Sequence, residues 1–72
     1  MKLIHQIQSL RRLDALIRRK QTGNARALAE KFGVSPATIY RWMEDLKDLG
    51  AEISWCRFRQ SYYYNQEFSL IL

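Results

Sequence analysis

Apolar residues recur at steps of three and four along the first part of the chain, and polar residues fill the positions between them. Members of this series are Ile4, Ile7, Leu10, Leu13, Leu16 and Ile17. This spacing places the apolar side chains along one side of an α-helix. The pattern therefore predicts a first helix over about residues 3–20, ending in Arg18, Arg19 and Lys20, where cations suit the helix dipole.

Two shorter helical patterns follow, over about residues 25–32 and 36–49. Gly33 ends the first of these, because glycine adopts positive φ at little cost. Ser35 is suited to cap the next helix, and Pro36 fits its first position, where the missing N–H costs nothing. One side of that helix carries Ile39, Met43 and Leu46, with Trp42 and Leu49 at its edge. Its other side begins with Ala37, Thr38, Tyr40 and Arg41.

After Gly50 the apolar residues no longer recur at helical steps but alternate with polar ones. Gly50 itself suits the end of a helix. Ala51, Ile53 and Trp55 alternate with polar residues, as expected of a half-buried strand. We predict a hairpin over about residues 51–65, with its tip near 58–61. Tyr62 and Tyr64 are then expected to share the core-facing side with Trp55. Residues 66–72 are compatible with a tail, a docked strand or a joint to a partner.

The middle of the chain reads LAEKFGVSPATIYRWMEDLKDLGAEI and is followed by the aromatic hairpin. Its small Ala29, turn glycine Gly33, apolar Val34 and branched Ile39 have the spacing found in the helix-turn-helix of DNA-binding proteins. The whole chain resembles the winged helix-turn-helix domain of DeoR-type bacterial transcriptional regulators. This resemblance implies a mainly α fold with a small β-hairpin, in which residues 1–72 form one domain of three helices and a wing.

Two features depart from that family. Trp42 stands where the family has an aspartate, and we interpret it as a residue that packs against the first or second helix. The wing tip lacks the glycines common in the family, which leaves its turn type and its reach open. The resemblance also implies a short strand beside the wing within residues 21–24.

The charge of the chain favours a polyanionic partner. The 72 residues carry a formal net charge of +5 at pH 7. The acids of the third helix lie in its back half, which leaves its first two turns free of carboxylates. A helix that enters a DNA groove by its N-terminal end requires that distribution.

The resemblance and the exposed side of the third helix together predict a set of DNA-binding residues. They are Ser35, Ala37, Thr38, Tyr40, Arg41, Arg57, Arg59 and Gln60. Hydroxyl groups bind phosphates or bases, and arginine binds guanine or phosphate. Three alternatives stay open: Ser35 as a simple cap, Tyr40 lying flat on the domain, and Arg41 in a salt bridge to Asp45.

Other classes of function have little support in the sequence. No spacing suggests a catalytic triad or a phosphate-binding loop, so we expect no enzyme and no cofactor. His5 is the sole histidine and Cys56 the sole cysteine, which predicts no metal site and no disulfide. No apolar run reaches the roughly 18 residues of a membrane helix. We expect a cytoplasmic protein.

The leading hypothesis is a transcriptional regulator that binds double-stranded DNA, with the third helix in the major groove and the wing on the backbone. A homodimer through the N-terminal helix would suit a palindromic site. The alternative is a winged-helix module that binds protein and not DNA, since a fold does not by itself determine function.

Overall fold

The computed structural model describes residues 3–71 and the side chains of residues 6–71, so the side chain of His5 is outside the described part. Within residues 3–71 there are three helices and one antiparallel hairpin. They are α1 (Leu3–Arg19), α2 (Ala25–Phe32), α3 (Pro36–Asp48), β1 (Ile53–Cys56) and β2 (Ser61–Tyr64). The predicted fold class, a three-helix winged helix-turn-helix, is confirmed, and the helix boundaries differ from the predicted ones by at most one residue.

The core forms where the apolar sides of the three helices meet. Leu13, Ile17, Leu28, Ile39 and Leu46 are all fully buried. Each fully buried aliphatic side chain contributes about 1.5–3 kcal/mol relative to an exposed one. The periodicity of the sequence therefore identified the side of each helix that drives folding.

The turn between α2 and α3 is built as the sequence predicts. Gly33 has φ +69° and ends α2. The N–H of Val34 donates to the Ala29 carbonyl at 2.9 Å, which closes the last turn. Val34 is half-buried and packs against the core. Ser35 caps α3 from an extended conformation, and Pro36 occupies its first turn. These caps fix the direction in which α3 leaves the turn.

The hairpin pairs Ile53 with Tyr64 and Trp55 with Tyr62. Ile53, Tyr62 and Tyr64 pack against the core, as predicted from the alternation. Trp55 is on the same side but is 37% exposed, so its expected place in the core is only partly correct. It lies nearer the tip than Ile53 does, and its ring is edge-on to that of Tyr62 at 4.9 Å between centroids.

The segment between α1 and α2 attaches to the hairpin through side chains. Residues 21–24 contain no strand, so the short strand implied by the family resemblance is absent there. Instead the N–H of Thr22 donates to the Ser61 hydroxyl at 3.0 Å, and the N–H of Tyr62 donates to the Thr22 hydroxyl at 2.9 Å. Both Thr22 and Ser61 are buried. The pair therefore anchors the start of β2 beside the tip.

Replacing Thr22 with valine removes this anchor while keeping the shape of the side chain. The N–H of Tyr62 then loses its acceptor, and the buried Ser61 hydroxyl loses a partner. An unpaired buried donor costs about 1–3 kcal/mol, and we expect the free energy of unfolding to fall by that amount. Chemical denaturation of the two proteins checks it, and Thr38→Val, the same change at a half-buried position on the first turn of α3, is the matched control. Equal losses from both substitutions would contradict the assigned role of Thr22.

The segment after the hairpin docks on α1 without forming a strand. Phe68 is buried, and its ring lies 5.1 Å from that of Tyr64 between centroids. The Arg18 guanidinium donates to the Phe68 carbonyl at 2.5 Å. Of the three alternatives for residues 66–72, a docked strand is wrong in part, because the described residues 66–71 dock through Phe68 but form no strand. Ile71 is 86% exposed beyond Phe68.

Tyr64 joins the hairpin to α1 through its hydroxyl, which donates to the Asp14 carboxylate at 2.6 Å. Burial raises the pKa of Tyr64 above its ordinary value, and the hydrogen bond to Asp14 raises it further. A raised pKa means that the fold favours the protonated phenol. This contribution to stability is complete below about pH 10 and decreases as the pH rises above it.

We predict that Tyr64→Phe lowers the free energy of unfolding by about 1–3 kcal/mol at pH 7. The difference from the wild type is expected to shrink above about pH 10, because there the phenol ionises in the unfolded chain while the fold still holds it protonated. Denaturation at pH 7 and at pH 11 measures both effects. Tyr63→Phe, on the other side of the same strand, controls for general alkaline unfolding. A Tyr64→Phe deficit independent of pH would contradict the assignment.

Candidate nucleic-acid interface

The first two turns of α3 present a continuous solvent-facing side. Ala37, Tyr40 and Arg41 are exposed, whereas Thr38 is half-buried. Ile39, between them in sequence, is fully buried and holds the helix on the core. The helical period thus separates packing residues from residues that are free to meet a ligand.

Ser35 and Thr38 form a small hydroxyl pair at the start of this side. The Ser35 hydroxyl accepts a hydrogen bond from the N–H of Thr38 at 3.3 Å, so the capping role is present. The two hydroxyls also lie 3.1 Å apart. Both belong to the N-terminus of a 13-residue helix, where unpaired N–H groups favour phosphate. Capping and phosphate binding are therefore compatible here.

Arg41 is exposed and forms no ion pair with Asp45, although both side chains are described. The alternative of a salt bridge between them is therefore not realised. The first exposed acid of α3 is Glu44, and Lys47 binds it at 3.2 Å. The positive charge at the start of α3 is thus left available to an external anion.

Trp42 is a packing residue, as predicted. It is 4% exposed, and its ring meets that of Phe32 edge-on at 5.6 Å between centroids. The Arg12 guanidinium covers the Phe32 ring at 4.6 Å. The aromatic pair fixes α3 against α2 on this flank of the helix.

Tyr40 connects α3 to the hairpin. It is 54% exposed and contacts Tyr62, so it neither lies fully flat nor projects freely. Burial, followed by the nearby Tyr40 phenol, raises the pKa of Tyr62. The two rings line a groove of about 350 Å³, together with Met43, Glu44 and Lys47. The hairpin is therefore held beside the exposed side of α3.

The hairpin tip is a four-residue turn over residues 57–60, one residue earlier than predicted, and it carries the remaining predicted site residues. The Gln60 amide donates to the Arg57 carbonyl at 2.7 Å, and Gln60 has φ +50°. A non-glycine residue thus supplies the positive φ of this turn. Arg57, Arg59 and Gln60 are exposed at the end of the hairpin, beyond the Trp55–Tyr62 pair.

Three residues of the hairpin region were not anticipated. Thr22 and Ser61 anchor the hairpin through hydroxyl hydrogen bonds between residues 39 apart in sequence, which no local pattern indicates. Phe58, at the tip, is 99% exposed. Its place in the sequence, between two arginines at a predicted turn, could have indicated an exposed aromatic residue. The alternation of apolar and polar residues alone does not indicate it.

The described part of the chain offers little for other chemistries. Among the residues described, no group of three or more His, Cys, Asp or Glu side chains is arranged to hold a metal ion. The helices within residues 3–71 include none that is long and apolar enough to cross a membrane.

Comparison with known proteins identifies the family. A family model described as an HTH domain matches residues 6–55, well over half of the chain. No curated protein and no solved structure is similar enough to count as a match. The family match ends within β1, so the hairpin tip lies outside it, and membership of the DeoR-type subgroup stays a prediction. The chain belongs to the HTH domain family and is a DNA-binding helix-turn-helix domain of the winged type, a kind used in transcription regulation.

Proposed function

We propose that the domain regulates transcription by docking α3 in the major groove of double-stranded DNA while the hairpin tip contacts the backbone. The observation that supports this proposal is the arrangement of charge and exposed side chains at the start of α3. Its first turn contains no acid, its outer side chains are exposed, and a basic hairpin is held beside it. The major groove admits one α-helix, and the side chains of its first turns reach the base edges.

Each predicted site residue at the start of α3, together with its cap, has a proposed role that follows from its chemistry. Arg41 binds guanine or a phosphate, for which its planar guanidinium is suited. Ser35 and Thr38 donate to phosphate together with the helix N-terminus. Ala37 and Tyr40 contact thymine methyl groups or the sugar–phosphate backbone. We also propose a cytoplasmic location, where a bacterial-type regulator meets its DNA.

The proposed partner of the hairpin tip is the DNA backbone or the minor groove. Arg57 and Arg59 are exposed on a turn that Gln60 holds closed. A held turn loses less conformational freedom on binding than a loose one. Two phosphate contacts at this position also fix the register of α3 in its groove.

A homodimer through α1 is the proposed arrangement for a palindromic site. Ile7 is half-buried at the start of the described side chains, so part of the apolar side of α1 extends past the core. Sedimentation equilibrium of the wild type and Ile7→Glu tests it. A monomeric wild type, or a dimer unaffected by the substitution, would count against this arrangement.

Salt dependence tests the contacts of the tip. We predict that Arg59→Ala and Arg57→Ala each reduce the slope of log affinity against log salt by about 1, because one fewer counterion is released. Fluorescence anisotropy with a labelled duplex at four salt concentrations measures the slopes. Arg19→Ala removes an equal charge from the end of α1 and is the matched control.

An unchanged slope in both tip variants would remove the hairpin from the proposed interface. Absence of any salt-dependent duplex binding by the wild type would instead favour the protein-binding alternative. The feature that supports that alternative is the groove lined by Tyr40, Met43 and Tyr62, whose walls are largely apolar.

A further inference from the structure

The apex of the hairpin carries an aromatic side chain with no structural role. Phe58 is 99% exposed. Within the described residues its ring takes part in none of the aromatic or cation–π contacts. Among the large apolar side chains described it is the most exposed, so the whole ring is available to a partner, and the residues around it indicate which kind.

The turn holds this ring at the outermost point of the hairpin. The last cross-strand pair is Cys56 with Ser61, so residues 57–60 form the whole tip and Phe58 is one of its two central residues. The hydrogen bond from Gln60 to the Arg57 carbonyl closes the turn. Thr22 anchors the adjacent strand at Ser61. The ring is therefore presented on a fixed support.

The surroundings of Phe58 indicate what kind of partner it meets. Its neighbours in the turn are Arg57, Arg59 and Gln60, all exposed and none of them apolar. A protein-binding aromatic residue ordinarily stands within an apolar patch. An apolar ring between two cations matches instead a stack of bases bordered by phosphates.

We propose that Phe58 is a wedge that inserts between neighbouring base pairs of the bound duplex and kinks it, an inference that rests on the proposed function. Arg57 and Arg59 bind the phosphates on either side of the opened step. Insertion costs unstacking energy, which ring–base stacking and the wider contact of a bent duplex offset. Flexible pyrimidine–purine steps such as TA and CA are the preferred points of insertion.

The test uses a duplex of about 30 base pairs with repeated TA steps, end-labelled for energy transfer and carrying 2-aminopurine at those steps. Measurements are made at saturating protein in about 50 mM salt. The wild type is expected to bend the duplex by about 20–90° and to raise the 2-aminopurine fluorescence as the bases unstack.

Phe58→Ala is expected to bind roughly 5- to 150-fold more weakly and to leave the saturated duplex straight and its fluorescence unchanged. Phe58→Leu retains an apolar wedge and is expected to retain most of the bend. Arg59→Ala is expected to bind more weakly yet bend the saturated duplex as the wild type does. Because the ring has no contacts within the described residues, Phe58→Ala is expected to melt at the wild-type temperature.

Two results would overturn the wedge alone: a wild type that binds the duplex without bending it, or a Phe58→Ala variant that bends it equally. A wild type that binds no duplex at any salt concentration would overturn the proposed function and, with it, the wedge. The bending and binding measurements therefore separate the two failures.

Discussion

Ile39→Ala is expected to lower the free energy of unfolding by about 2–5 kcal/mol, the largest loss of stability from any single substitution considered for this domain. Ile39 is fully buried on α3. Truncation removes its transfer free energy and leaves a cavity that the neighbouring helices fill only partly. A small domain is marginally stable, so a loss of this size unfolds a measurable fraction of the molecules at 37 °C.

Urea denaturation followed by circular dichroism measures the effect. Ile71→Ala is the matched control, because the same chemical change is made at a side chain that is 86% exposed. A surface change of this kind is expected to stay within about 0.5 kcal/mol. A loss below about 1 kcal/mol for Ile39→Ala would mean that α3 is not seated on the core as described.

Arg41→Ala is expected to weaken duplex binding by about 1–3 kcal/mol, a loss of roughly 5- to 150-fold. Arg41 is exposed on the acid-free part of α3 and has no ion pair with Asp45 to compete with DNA. Its removal therefore deletes a contact with the ligand and leaves the fold intact. Equal unfolding free energies of the wild type and the variant would verify that the fold is intact.

Arg41→Lys distinguishes the two ligands proposed for Arg41. A lysine preserves the charge but not the planar pair of donors that reads guanine. If Arg41 binds guanine, the lysine variant loses discrimination between sites and keeps the salt slope. If Arg41 binds phosphate, the lysine variant keeps both the discrimination between sites and the salt slope. Binding within twofold of the wild type for Arg41→Ala would exclude Arg41 from the interface.

Local physics made the helical part of this fold predictable from sequence. Gly33 ends α2, Ser35 caps α3 and Ile39 is buried, because each of these outcomes depends on a residue and its neighbours within one or two turns. The core side of the hairpin was also predictable from its alternation. The exposed side of α3 follows from the same period.

Long-range and shape-dependent features were not predictable in this way. The hydroxyl pair of Thr22 and Ser61 depends on how α1 and the hairpin meet, which the sequence pattern does not encode. Alternation placed Trp55 in the core, but the core ends before it, leaving the side chain 37% exposed. Phe58 could be located at the tip, whereas its complete exposure depends on the turn that Gln60 closes.

The most direct test of the central claim is to map the DNA-binding surface by NMR. Amide chemical shifts of the labelled domain are followed while an unlabelled duplex is added at low salt. Binding through α3 and the hairpin tip predicts that the largest changes cluster within residues 35–41 and 57–60. Changes confined to α1 and the docked segment 66–71, with 35–41 unaffected, would contradict it.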